Sequence, residues 1–166
     1  SIPDDLQEEM DFLNGSEYGR IYRISPANGL AKVNEPPNLQ GKSTGELVKM
    51  LAHPSRWWRI QAQRLLLERQ DASAAPDLES MFAIHEDPKV RLHALYTLEG
   101  LNLLTEELVK KALSDASPWI REHGLILSER FPGYLEQAID KIDDPSIRVA
   151  FQATLMSGDF RGQKVV

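Results

Sequence analysis

Four times along the chain, a proline-containing turn is followed by an apolar residue and then an arginine. The turns are His53-Pro54, Asp87-Pro88, Ser117-Pro118 and Asp144-Pro145; the pairs are Trp58-Arg59, Val90-Arg91, Ile120-Arg121 and Ile147-Arg148. Before each turn, apolar residues fall at helical spacing: Leu47, Val48 and Leu51; Leu78, Met81 and Phe82; Leu108, Val109, Ala112 and Leu113; Leu135, Ile139 and Ile142. Three places after each arginine stand Ala62, Ala94, Gly124 and Phe151. The first three are small enough to let two helices approach closely, and Phe151 departs from the rule as a terminal unit without a successor would. The chain from Ser43 onward therefore reads as helix–turn–helix units over Ser43–Asp71, Ala75–Asn102, Leu104–Phe131 and Pro132–Phe160.

The local chemistry supports that reading. Asp87, Ser117 and Asp144 are expected to accept the orphan backbone N–H groups at the start of each second helix, where a proline needs no donor of its own. Ser43 with Glu46 spells a capping box, and Thr105 before Glu106 and Glu107 a similar start. The expected helix pairs are 43–52 with 55–70, 76–85 with 88–101, 105–114 with 118–130, and 133–142 with 145–157. A single pair cannot bury its own apolar face, so stacking into an all-α solenoid of about four hairpins follows.

Residues 1–42 read differently and form an N-terminal extension ahead of the helical domain, 43–166. Leu6, Met10 and Leu13 fit a short helix ended by Asn14-Gly15, and Gly19–Ile24 suits a strand. Residues 25–42 carry prolines, asparagines and glycines without periodicity, as a linker does. Ser1 in place of an initiator Met is read as the start of a processed or excised segment.

Composition narrows the function classes. A net charge of −6 gives no global footprint for nucleic acid or anionic lipid, and no apolar run is long enough for a membrane span. With no cysteine, the chain holds no disulfide, thiolate metal site, cysteine nucleophile or thioether-linked haem. Serines and aspartates are accounted for as caps, and no phosphate loop or nucleophile elbow is present. The expectation is a non-catalytic chain without cofactor or metal.

The Asp-Pro turn, Val-Arg pair and following Ala resemble HEAT repeats. Taken with Gly19-Arg20-Ile21-Tyr22-Arg23-Ile24, Trp57-Trp58-Arg59, Arg64–Arg69, Arg91–Leu95 and Leu98–Leu101, the order of motifs is similar to the middle of large secreted bacterial membrane-bound dehydrogenases. In that family a sorbosone- or glucose-dehydrogenase-like β-propeller precedes HEAT repeats, often with a c-type cytochrome module after them. The resemblance implies a helical spacer in a periplasmic or extracellular assembly, with Gly19–Ile24 as the remnant of a propeller's closing strand. It carries no dehydrogenase activity here, because no blades precede residue 19 and no Cys-x-x-Cys-His for haem exists.

The candidate residues admit two readings each. Arg59, Arg91, Arg121 and Arg148, with the turn residues Asp87 and Asp144, form either a basic stripe for an acidic partner or an internal ladder. The ladder is favoured, because helix hairpins leave many polar ends to satisfy. Trp58 aligns with core positions, whereas Trp57 either anchors a partner or covers Glu35-Pro36-Pro37, the second being favoured. His93 and His123 occupy equivalent positions, but two imidazoles without a third ligand do not make a zinc site. The second helices are expected to line a protein-contact face through Gln61, Arg64, His93, Tyr96, His123 and Ile126. The function expected is a scaffold for protein–protein or interdomain contacts, the alternative being the dehydrogenase spacer. Partner identity and oligomeric state stay open.

Overall fold

Ser43 opens the first helix with both halves of the capping box: its hydroxyl accepts from Glu46 N, and its own N–H donates to Glu46 Oε2 at 2.8 Å. In the computed structural model, which describes residues 38–131, 136 and 139–163 (side chains of 158–163 excepted), this start leads into an all-helical chain. The helices are α1 (Thr44–Met50), α2 (Arg56–Arg69), α3 (Ala75–Ile84), α4 (Pro88–Gly100), α5 (Glu106–Leu113), α6 (Pro118–Ser128) and α7 (Ile147–Gln163), with a 3₁₀ turn at Ala72–Ala74. No strand occurs among the described residues. The expected N-terminal helix, the Gly19–Ile24 strand and half of the residues of the helix expected over 133–142 lie outside them.

Consecutive helices pack in pairs, α1 on α2, α3 on α4 and α5 on α6, and the second helices also touch in order: α2 with α4, α4 with α6, α6 with α7. The reason lies in spacing. Leu47 and Leu51, Leu78 and Phe82, Leu95 and Leu98, and Val109 and Leu113 stand three or four places apart, and all are buried in one continuous cluster. Burying each such side chain contributes about 1.5–3 kcal/mol against the entropy of ordering the chain.

Small residues set the closeness of the pairs. Ala62 and Ala94 have no exposed surface, and a Cβ placed on Gly124 would stand 3.0 Å from Ala112 Cβ and 3.1 Å from the Ala112 carbonyl carbon. The backbone of α5 thus lies directly against α6 at Gly124. The stretch before α1 is tied to the end of α2: Leu39 is buried in the cluster, and Arg69 donates to the carbonyls of Lys42 and Gln40.

The fourth second helix differs from expectation in register. Ile147, aligned in the sequence with Val90 and Ile120, is 84% exposed, and Phe151 is exposed as well. Val149, Ala153 and Met156 are buried instead. The cause is where the proline sits relative to the cap. Pro88 and Pro118 are the first residues of their helices, after Asp87 and Ser117. Pro54 and Pro145 instead precede their helix starts at Ser55 and Ser146, whose carbonyls accept from Arg59 N and Ala150 N. Counting from the cap, Ala150 takes the place of Arg59, Arg91 and Arg121.

Candidate functional site

Each of the first three turns between paired helices is held by an arginine of its own second helix. Arg59 Nη1 donates to the carbonyls of His53 (2.8 Å) and Pro54 (2.9 Å). Arg91 Nη1 donates to the His85 carbonyl, and its Nη2 reaches Asp115 Oδ1 at 2.8 Å in the next turn. Arg121 Nη1 donates to the carbonyls of Asp115 and Ala116, and its Nε and Nη2 grip both oxygens of Asp144 at 2.8 and 2.7 Å. Each arginine thus closes its own turn, and two of the three also take a carboxylate from the following one. The fork of five donors on guanidinium suits this double duty. The Arg121 guanidinium holds the Asp144 carboxyl below the usual carboxylate range, and a bond from Ser146 N acts in the same direction.

Three residues stand differently from the sequence-based ladder. Arg148 lies off the rung and pairs with Glu122 at 2.9 and 3.0 Å on an exposed surface, as the register of α7 requires. Asp87 is an N-cap, its carboxylate accepting from Lys89 N, and reaches no arginine. Ser117 makes no side-chain cap bond; Asp115, not singled out in the sequence, accepts from Ser117 N and takes Arg91. Its signal was its place two residues before the cap, shared with Asp144 before Ser146.

That same place is held by histidine in the first two turns. His53 Nδ1 accepts from Ser55 N and His85 Nδ1 from Asp87 N. A neutral imidazole used this way keeps N–H on Nε2, so it replaces the backbone-capping half of the aspartate and not the half that receives an arginine.

Of the six residues expected on the contact face, the structure joins two. Tyr96 OH and His123 Nδ1 share a hydrogen bond of 2.7 Å, their rings meeting edge to face at 5.4 Å. His93 Nδ1 bonds Gln63 Oε1 at 2.8 Å, so Gln63 rather than Gln61 reaches it across α2 and α4. Arg64 pairs with Glu68 on its own helix, and Ile126 is exposed. Burial holds both His93 and His123 below the usual histidine range. The Arg59 and Arg56 charges push His93 further down; at His123, Arg148 does so while Glu122 opposes. Burial also raises the Tyr96 hydroxyl.

Beyond Ile126 and Trp57, which the sequence singled out, the structure exposes further large apolar side chains on these helices. Trp57 and Ile60 on α2, Trp119 beside Ile126 on α6, and Phe151 and Leu155 on α7 are all exposed. Trp57 stacks edge-on against Trp58 at 4.4 Å and remains 58% exposed; Trp58 is half-buried against the core. The segment 35–37 that Trp57 was expected to cover lies outside the described residues. The available signal was the four-residue spacing of Ile147, Phe151 and Leu155, a second apolar row beside the one that enters the core.

Between α2 and α4 lies an open notch of about 490 Å³, lined by Arg56, Arg59, Gln63, Lys89, His93 and Tyr96 around Leu92. Three cations line it and no carboxylate does. Among the described residues the side chains of Arg56 and Lys89 have no hydrogen-bond or carboxylate partner, and Arg59 Nε is buried and unpaired. No group of three metal-ligating side chains converges among the described residues, and no described helix is long and apolar enough to cross a membrane. Comparison of the chain with protein-family models, curated proteins and solved structures finds no match.

Proposed function

We propose that the chain is a non-catalytic α-solenoid of HEAT-like helix pairs whose second helices present a contact face to protein, on another chain or on a neighbouring domain. The observation that carries this reading is the recurrence of exposed large apolar side chains on second helices: Trp57 and Ile60, Trp119 and Ile126, Phe151 and Leu155. Exposed aromatic and aliphatic groups in such number, with the exposed cations Arg56 and Arg64 on α2 and Lys89 on α4, have the composition of a protein-binding surface rather than of an ordinary solvated one. Each second helix touches the next, which supports reading these side chains as parts of one face.

The test is a peptide-display selection on the wild-type chain, followed by rebinding to variants. Trp119→Ser with Phe151→Ser should abolish binding of the enriched peptides, whereas Glu79→Lys with Lys111→Glu, on first helices, should leave it intact. Enriched peptides that are lost only with the first-helix changes would place the contact surface on the other side.

A further inference from the structure

The arginine rungs are incomplete at one place, and that place is the notch. Arg91 receives Asp115, and Arg121 receives Asp144, each from the turn of the following pair. By the same register the residue assigned to Arg59 is His85, whose Nδ1 is already committed to Asp87 N. Arg59 therefore closes its own turn and is left without a carboxylate, with a buried, unpaired Nε. Arg91 Nε is also unpaired, so the orphaned Nε alone does not single out Arg59; the missing acid does. Around it, Arg56 and Lys89 add two further cations without partners among the described residues.

We propose that the notch between α2 and α4 is a carboxylate subsite, in which an acidic side chain of a bound peptide supplies the rung that His85 does not. The ligand class follows from the chemistry present. The equivalent arginines already take aspartate, one of them through both carboxylate oxygens, so the site is shaped for a planar carboxylate. Leu92 and Tyr96 line the notch, and Trp57, next to Arg56, is exposed, so apolar side chains flanking the acid have surfaces to meet. The cationic lining sits in a chain of net charge −6, which favours one localised carboxylate over a long polyanion. The choice of a peptide as carrier rests on the contact-face reading above; the carboxylate preference rests on the rungs.

The experiment titrates the full chain with acetyl-Leu-Glu-Leu-amide, with its Leu-Gln-Leu analogue and with inorganic phosphate, following by NMR the Arg59 Nε–H and the amides of Lys89 and His93. The Glu peptide should shift these signals and bind about tenfold more tightly than the Gln peptide, the difference of one charge-assisted hydrogen bond. Arg56→Gln, on an exposed side chain, should weaken it severalfold without changing the fold. The decisive variant is His85→Asp, which installs the missing acid: the Arg59 signal should move as in the Glu complex, and peptide binding should drop about tenfold or more. Equal binding of the Glu and Gln peptides, unchanged affinity in His85→Asp, absence of any shift, or tighter binding of phosphate than of the Glu peptide would each overturn the carboxylate subsite. Display-selected peptides that still depend on Trp119 and Phe151 would in those cases leave the contact-face reading standing.

Discussion

Asp144 is 4% exposed and Arg121 13%, and they meet through two parallel hydrogen bonds. The pair is covered by its neighbours yet lies in a shallow layer near solvent, so its contribution falls between that of a surface pair and a deeply buried one. Asp144→Asn should cost about 1–3 kcal/mol in urea denaturation, because Arg121 keeps its carbonyl bonds and loses its counter-charge. Asp87→Asn should stay within about 0.5 kcal/mol, since asparagine caps as well as aspartate. Equal losses in the two would remove the distinction between rung and cap. His93 and His123 give a second residue-scale outcome. Both are held below the usual value, mainly by burial, so on acidification the unfolded chain takes up protons before the folded one does. Their contribution is complete above the ordinary histidine value of about 6.5 and is lost as pH falls from there through the lowered values. The denaturation midpoint of the wild type should therefore fall between neutral pH and mildly acidic pH. Replacing both histidines by glutamine should flatten that slope, and a slope unchanged by the replacements would assign it to other groups.

At the scale of the helix, α7 shows where a sequence stops being informative. It carries two apolar rows, Val149, Ala153 and Met156 on one side and Ile147, Phe151 and Leu155 on the other; only the first enters the core. Periodicity sees both rows equally, and the Ile147-Arg148 pair copied the signature of the earlier units closely enough to draw the alignment to the wrong row. Position relative to the cap decides, because the cap fixes where the helix begins and hence which way every later side chain points. Ala153→Leu should overpack the contact and cost about 1–3 kcal/mol, whereas Phe151→Ser should change stability by less than about 0.5 kcal/mol. The reverse order would restore the register read from the sequence. In α1–α6 the bounds were legible to within two residues, because capping residues, proline at the first turn and small contact residues all agreed. The rungs were legible only in kind: that arginine would bind turn oxygens followed from its donors, but the partner Asp115 required knowing the cap.

Over the whole chain, charge and apolarity are distributed in ways that composition conceals. A chain of net charge −6 gathers Arg56, Arg59 and Lys89 around one notch, and among the described residues its exposed Trp and Phe side chains fall on second helices. Sequence averages cannot report this, because both patterns arise only when residues some thirty places apart are brought side by side. The histidine pair was legible as equivalent positions, yet its neighbours were not: Gln63 and Tyr96 hold the two rings, and neither contact follows from spacing within one helix. The most direct test of the account is an amide chemical-shift map of the chain titrated with a display-selected peptide. The account predicts that the perturbed residues fall on α2, α4, α6 and α7, centred on Trp57, Tyr96, Trp119 and Phe151, with the outer surfaces of α1, α3 and α5 unchanged. A map centred on α1, α3 and α5, with the second helices unperturbed, would contradict it.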